Sequence, residues 1–226
     1  MKIGISAAET SGDLLGAKLV ESLKKQNLAI DIEGLAGEKM LASGCNQLWD
    51  QKLVNVMGFS EVLKKLPSLL RLRKTIIQHF STERPAVFIG VDAPDFNFVI
   101  EKNLKSQGIK TVHFISPSVW AWRQSRIKKI KQSTDLVLCV FPFEVDFYQK
   151  NNQRALFVGH PLAQSLTPRK KHVASKSVVL MPGSREGEVK RLLPEMIVAA
   201  KLMAKQNAEL TFHLVLANDA LRHWAE

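Results

Sequence analysis

Short β-rich apolar runs alternate with stretches of helical period along the 226-residue chain. That alternation is the signature of a mainly parallel sheet covered by helices. Strands are predicted at 2–7 (KIGISA), 30–35 (IDIEGL), 86–91 (AVFIGV), 110–115 (KTVHFI), 135–140 (DLVLCV) and 155–158 (ALFV). Helical spacing occupies about 13–26, 59–80, 95–107, 122–132 and 143–150 between them. Several strands run into small or polar loops: AETSGD, DAPDFN, SPS and GHP. Ligands of open α/β sheets bind beyond the carboxyl ends of the strands, so these four loops are the places to look for a site.

Residues 166–176, LTPRKKHVASK, are polar, basic and proline-containing, and read as a linker. A new unit follows, with a strand at 177–181 (SVVLM), the loop PGSREGE, a helix at about 188–206 and a strand at 210–216. The expected organisation is a first α/β domain over 1–165, a linker over 166–176 and a partial second domain over 177–226. Two strands and a helix are too few to close a sheet-based domain. The expectation is therefore that the chain stops inside its second domain, or that this half-domain pairs with another chain.

Composition narrows the function classes. With 46% apolar and 23% charged residues and no long low-complexity tract, the chain can bury a core and is not a disordered one. Lys and Arg number 32 against 21 Asp and Glu, a formal net charge of +11. The excess favours an acidic partner: nucleic acid, an anionic membrane surface or a phosphorylated small molecule. No nucleic-acid-binding signature accompanies it. Cys45 and Cys139 lie far apart without CxxC spacing, which fits a reducing compartment. Acids come too soon after the N-terminus for a secretory signal, and no run approaches the length of a spanning helix. The expected location is the cytosol.

Each loop has a functional and a bland reading. In AAETSGD, residues 7–13, small residues ahead of a helix can offer N–H groups to an anion, or simply turn with Ser11 or Asp13 as cap. No GxGxxG is present, so a dinucleotide site is not supported. In PGSREGE, residues 182–188, Ser184 can cap the following helix and Arg185 stands where a phosphate would meet its N-terminus. SPSVWAWRQSRIKKIKQ, residues 116–132, combines Trp120 and Trp122 with five cations. It reads as an acyl or sugar pocket with phosphate-binding cations, or as a basic helix with its tryptophans in the core. In 59–80 the apolar residues 59, 62, 66, 69, 70, 77 and 80 recur at helical spacing, with basic residues mostly elsewhere. That is a core-facing helix or a membrane-surface element. His160, in VGHP, can donate to a phosphate or carbonyl, or serve the turn. The six histidines form no metal-like spacing.

In VFIGVDAPDFN, residues 87–97, Asp95 precedes a helical pattern and is expected to be its N-cap. Asp92 has no such task. At the end of a strand its side chain can point into a cleft, where apolar walls would suit it to general-base work. An Asx-turn before Pro94 is the competing reading.

Taken together, AAETSGDLLGA (7–17), VNVMGFSEVL (54–63), VFIGVDAPDFN (87–97), FISPSVWAWRQSRIKKI (114–130), DLVLCVFPFE (135–144), FVGHPL (157–162) and LMPGSREGEV (180–189) resemble the lipid-A-disaccharide synthase family. These are glycosyltransferases of the two-domain GT-B architecture, and the matching stretches run in order through nearly the whole chain. The resemblance implies a GT-B type α/β fold: a Rossmann-like N-terminal parallel sheet with helices on both faces, then the start of a second Rossmann-like domain. It implies an inverting transfer from UDP-2,3-diacylglucosamine to 2,3-diacylglucosamine 1-phosphate, with release of UDP and formation of a β-1,6-linked disaccharide for lipid A. Asp92 is then the candidate base. Glu9, Ser11, Asp13, Asn97, Ser118, Arg123 and His160 fall in matching loops assigned to substrate binding. Gly183, Ser184, Arg185 and Glu188 fall in the segment expected near UDP. No metal or other cofactor is implied, and nucleic acid is not an expected partner.

The same resemblance implies a peripheral enzyme on the cytoplasmic face of the inner membrane, docked on anionic lipid through 59–80 and 119–131, and a homodimer in the full-length form. Ala8 and Gln164 depart from the family pattern, and the resemblance implies a larger C-terminal domain than the partial one expected over 177–226. Related sugar-nucleotide readings are a peptidoglycan glucosaminyltransferase or a UDP-sugar epimerase, against which SPSVWAWR and DAPDFN argue. A third reading is a non-catalytic remnant that binds membrane or a partner.

Overall fold

The structure is a computed structural model that describes residues 1–54, 59–164, 166–167, 176–183, 186–217 and 219–225, with side chains undescribed at 59–65 and 164. Two compact units form, one from Met1–Val56 and Glu61–Thr167, the other from Met57–Ser60 and Pro168–Glu226.

The first unit is a seven-stranded sheet in which every neighbouring pair is parallel. Its strands are β1 (Lys2–Ala7), β2 (Asp31–Ala36), β3 (Asn46–Asp50), β4 (Val87–Val91), β5 (Lys110–Phe114), β6 (Leu136–Cys139) and β7 (Ala155–Phe157). The spatial order is β3-β2-β1-β4-β5-β6-β7. β1 and β4 are buried almost from end to end, which is why they read as continuous apolar runs rather than alternating ones. β2 approaches β1 closely enough that a side chain at Gly34, whose φ is +153°, would collide with the Ile5 carbonyl. Only glycine meets both demands.

Helices cover both faces. On one, Leu15, Ala17 and Val20 of α1 (Thr10–Gln26) and Met40 of α2 (Glu38–Ala42) pack on Ile3, Ile5 and Ile89. On the other, Ile76 and Phe80 of α3 (Phe59–Glu83) and Phe96, Ile100 and Leu104 of α4 (Pro94–Ser106) pack on Phe88. Each such side chain contributes about 1.5–3 kcal/mol when fully buried. A third cluster joins Phe98 to Ile130 of α5 (Ile127–Ser133), Val137, Cys139 and Tyr148 of α6 (Pro142–Lys150).

The six strands expected before residue 160 are present to within one or two residues. β3 and α2 were not expected: NQLWD offers too few apolar positions, and five helical residues are too short to show a period. The expected stripe of α3 is corrected in its first half. Leu66 and Leu70 are exposed, whereas Ile76, outside the expected set, is fully buried beside Phe80. Among the described side chains, those of the C-terminal half meet the sheet.

The second unit contains β8 (Ser177–Leu180) paired in parallel with β9 (Thr211–Leu214), joined through α7 (Glu186–Gln206) and followed by α8 (Asp219–Ala225). Its small core is Val189, Leu193 and Leu221. Ile197, Val198, Leu202 and Met203 of α7 stay exposed. Residues 168–175, the basic part of the expected linker, lie outside the described residues.

Candidate active site

Strand order reverses between β1 and β4, and the crevice beyond the carboxyl ends at such a switch point is where doubly wound sheets bind ligands. Two loops open there, Ala8–Glu9 leading into α1 and Asp92–Ala93 leading into α4.

Asp92 is still held to the sheet, its N–H donating to the Phe114 carbonyl at 2.9 Å. The chain then turns through two successive left-handed residues, Asp92 with φ +52° and Ala93 with φ +43°. Neither is glycine, so each costs on the order of 1–2 kcal/mol. The half-buried Asp92 side chain accepts a hydrogen bond from Ser11 Oγ at 3.1 Å. A carboxylate from the end of β4 thus faces the first turn of α1, where backbone N–H groups give a positive environment.

Asn97 lies beneath this turn and is fully buried. Its Oδ1 accepts from Ser6 Oγ at 2.7 Å. Its Nδ2 donates to the carbonyls of Asp92 at 2.8 Å, Ser6 at 3.2 Å and Val91 at 3.2 Å. The expectation that Asn97 lines the site is corrected, because every polar atom of the side chain is committed to the protein interior.

The capping expectations are corrected too. Ala93, not Asp95, is the N-cap of α4, since the Ala93 carbonyl already accepts from the N–H groups of Phe96 and Asn97 at 3.0 Å. Asp95 is the second helical residue, exposed, and paired with Arg126 and, at 3.8 Å, with Lys129. It still favours the helix start through its charge. The N-cap of α1 is Glu9, without a side-chain cap bond, rather than Ser11 or Asp13. Asp13 is buried, and its two oxygens accept from the backbone N–H groups of Gly37, Lys39 and Met40, each at 3.0 Å. It caps α2 from across the loop, and the reading of Asp13 as a substrate contact is corrected on that ground.

Ser118, Arg123 and His160 lie on loops after β5 and β7, on the same sheet edge as Asp92 because all strands are parallel. Ser118 is exposed, and its carbonyl accepts from Ala121 and Trp122. Arg123, with φ +54°, stacks over the Trp122 ring at 4.4 Å. His160 Nδ1 accepts from the Leu162 N–H at 3.3 Å. The alternative that put both tryptophans in the core is corrected: Trp120 is 39% and Trp122 58% exposed. Trp120 meets Phe143 edge-on at 4.8 Å, and Phe143 stacks with Phe141 at 5.6 Å. Beneath them burial pushes the Glu144 carboxyl up, opposed by hydrogen bonds from the Phe141 backbone and from Ser116 and Trp120. Phe141, Phe143, Glu144 and Ser6 were not singled out in the sequence, where they read as ordinary helix-start and strand residues.

In the second unit the described part of PGSREGE contains Gly183, with φ +126°, where a side chain would crowd Glu188 Oε2 at 2.7 Å. The first turn of α7 carries Glu186 and Glu188. Ser184 and Arg185 lie outside the described residues.

Comparisons with known proteins follow the same lines. Residues 3–226 match the lipid-A-disaccharide synthetase family. A lipid-A-disaccharide synthase of Francisella philomiragia is 43% identical over 98% of this chain, which covers 62% of that protein. Its counterpart from Pseudoalteromonas translucida is 47% identical over 96% of the chain, covering 59% of that protein. The chain therefore spans about three fifths of the length of these relatives. Among solved structures, the UDP-GlcNAc 2-epimerase from Neisseria meningitidis bound to UDP-GlcNAc superposes with a TM-score of 0.65 at 11% identity, over 96% of this chain and 66% of that one. That likeness is one of fold alone.

Proposed function

The chain belongs to the lipid-A-disaccharide synthetase family, and from that premise we propose that it carries the acceptor side of an inverting glycosyltransferase that makes the lipid A disaccharide. The substrates are UDP-2,3-diacylglucosamine and 2,3-diacylglucosamine 1-phosphate, and the products are the β-1,6-linked disaccharide 1-phosphate and UDP.

The observation that carries this reading is the placement of Asp92 at the switch point, in a strained turn, beside Ser11. Strain of this kind persists where the surroundings over-determine it, and it clusters at functional sites. In the proposed reaction the Asp92 carboxylate takes the proton of the acceptor 6-hydroxyl. The hydroxyl oxygen attacks the anomeric carbon from the face opposite UDP. The bond from that carbon to the diphosphate oxygen breaks, and its electron pair leaves with UDP. Ser11 orients the carboxylate by its hydrogen bond. The loop Gly183–Glu188 with Arg185 is proposed to meet the diphosphate, where a cation stabilises the charge that develops on departure.

Membrane docking belongs to the same proposal. No helix among the described residues is long and apolar enough to cross a membrane. Exposed Leu66, Leu70, Trp120 and Trp122, set among basic residues, support attachment to an anionic surface, and the family reading makes that surface the cytoplasmic face of the inner membrane. Acyl chains of both substrates would then enter from the lipid.

The test uses the full chain as its gene encodes it, wild type and Asp92→Asn. UDP release from the diacyl donor is measured with and without the monosaccharide acceptor. Acceptor-dependent release by the wild type and its loss in the variant are expected. Absence of acceptor dependence in the wild type overturns the synthase reading, and near-normal release by the variant removes Asp92 as the base.

A further inference from the structure

A turn of two left-handed, non-glycine residues needs something to hold it, and the buried Asn97 side chain hydrogen-bonds its backbone from within. We propose that Ser6 and Asn97 are positioning residues for Asp92: a buried pair that locks the turn at Asp92–Ala93 and so fixes where the carboxylate points. The proposal rests on the reading of Asp92 as the base.

The geometry is specific about which atom does what. The Ser6 hydroxyl donates to Asn97 Oδ1 at 2.7 Å, so the amide is oriented with its NH2 toward the turn. That NH2 then donates to the Asp92 carbonyl at 2.8 Å and to those of Val91 and Ser6, both at 3.2 Å. Both side chains are fully buried, so no water competes for these bonds. Ser6 lies in β1, in register with Gly90 of β4, and Asn97 lies in the first turn of α4. The pair therefore ties the two strands that flank the switch point to the helix that follows the catalytic turn.

Its consequence for Asp92 is directional. Side chains of an extended strand alternate between faces. If Asp92 relaxed to an extended conformation, its carboxylate would swing away from Ser11. Neither Ser6 nor Asn97 titrates, so the pair acts on the position of the carboxylate and not on its proton. Loss of the pair should lower kcat, leave KM for the donor nearly unchanged, and leave the limbs of the pH–rate profile where they are. A misplacement of about 1 Å at a reacting group costs up to about 100-fold, and a drop of about 10- to 100-fold in kcat is expected for Asn97→Ala.

The distinguishing variant is Ala93→Gly in the Asn97→Ala background. Glycine adopts positive φ without steric cost, so it lowers the need for a clamp. Partial recovery of kcat is expected, which a merely structural role for Asn97 would not produce. Ser6→Ala, which leaves Oδ1 without its donor, should give a smaller loss and keeps the test open if Asn97→Ala does not fold.

The experiment has two arms on the full chain. Steady-state kinetics are measured for wild type, Ser6→Ala, Asn97→Ala and Asn97→Ala/Ala93→Gly. Solution NMR of the same proteins reads the left-handed turn through the strong intraresidue HN–Hα contacts of residues 92 and 93. Loss of those contacts in Asn97→Ala, with a fall in kcat and recovery by Ala93→Gly, supports the proposal. A preserved turn in the folded Asn97→Ala protein overturns it, or, where that variant does not fold, a Ser6→Ala protein with both turn and kcat unchanged; a rise in donor KM at unchanged kcat overturns it as well. If the wild type shows no acceptor-dependent activity, the functional reading fails and the clamp is judged by the NMR arm alone.

Discussion

Ser11 Oγ donates to Asp92 Oδ2 at 3.1 Å across the point where the strand order of the sheet reverses. The two residues are 81 positions apart: Asp92 opens the loop after β4, and Ser11 lies in the first turn of the helix that follows the neighbouring parallel strand β1. The contact places a carboxylate beside the N-terminal turn of α1. Removing it by Ser11→Ala deletes one hydrogen bond to a carboxylate, worth about 1.5 kcal/mol, or roughly ten-fold in rate. Acceptor-dependent UDP release should fall by about that factor, with a melting temperature lowered by no more than a few degrees. An unchanged rate would show that the contact does not orient Asp92 for the proposed reaction.

Asp13 should matter for stability rather than for chemistry. Its carboxylate satisfies three backbone N–H groups that start α2. Asp13→Ala leaves buried donors unpaired and should cost about 3 kcal/mol, with Asp13→Asn costing about half. Urea unfolding measures both. A loss for Asp13→Ala under about 0.5 kcal/mol, the range of a neutral surface change, would contradict the capping role.

Glu101 and His113 form a fully buried pair, with Glu101 Oε1 2.7 Å from His113 Nδ1. Burial pushes the Glu101 carboxyl up from its ordinary value of 4.5, against the opposing pull of His113 and Lys105. A carboxyl raised in the folded state binds its proton more tightly there than in the unfolded chain. The stability this contributes is present below about pH 4.5 and is lost as pH rises through the raised value. Glu101→Gln should therefore gain on the wild type in thermal melts as pH rises above about 4.5. A difference independent of pH would contradict the assignment. Gly90 lies against this carboxylate and leaves no room for a side chain, so Gly90→Ala should be strongly destabilising.

Both thiols should be inert in the folded protein. Burial pushes Cys45 and Cys139 up to about 12, and the thiolate is the reactive form. Alkylation near pH 8 should be slow for both and become fast on denaturation. Rapid labelling of either one in the native state would show that its site opens.

The strands were legible because parallel strands buried on both faces are written as unbroken apolar runs. The loops at their carboxyl ends were legible because small and polar residues interrupt those runs. β3 escaped because an edge strand with one half-buried tryptophan leaves no such run. Asp95 was misplaced for a different reason. Capping rules count from the first residue with helical period, whereas the helix begins where the backbone turns, and here two left-handed residues move that point to Ala93. The exposure of Trp120 and Trp122 was equally hidden, since a tryptophan reads as core unless its neighbours in space are known.

By itself the sequence determined the α/β class, the parallel pairing implied by strand–helix alternation, and the loops in which chemistry would be found. Those properties are local: periodicity, apolar runs and turn residues depend on neighbours along the chain. Only the tertiary structure decided which polar residues of those loops are consumed by the fold. Asp13 and Asn97 stand in the same motifs as Ser11 and Asp92, yet the Asp13 oxygens are consumed by backbone N–H groups beginning 24 positions away, and Asn97 by Ser6, 91 positions away, as well as by the Val91 and Asp92 carbonyls. The pairing of a buried polar atom is set by what packs over it. That depends on the order of strands in the sheet, which no stretch of sequence contains.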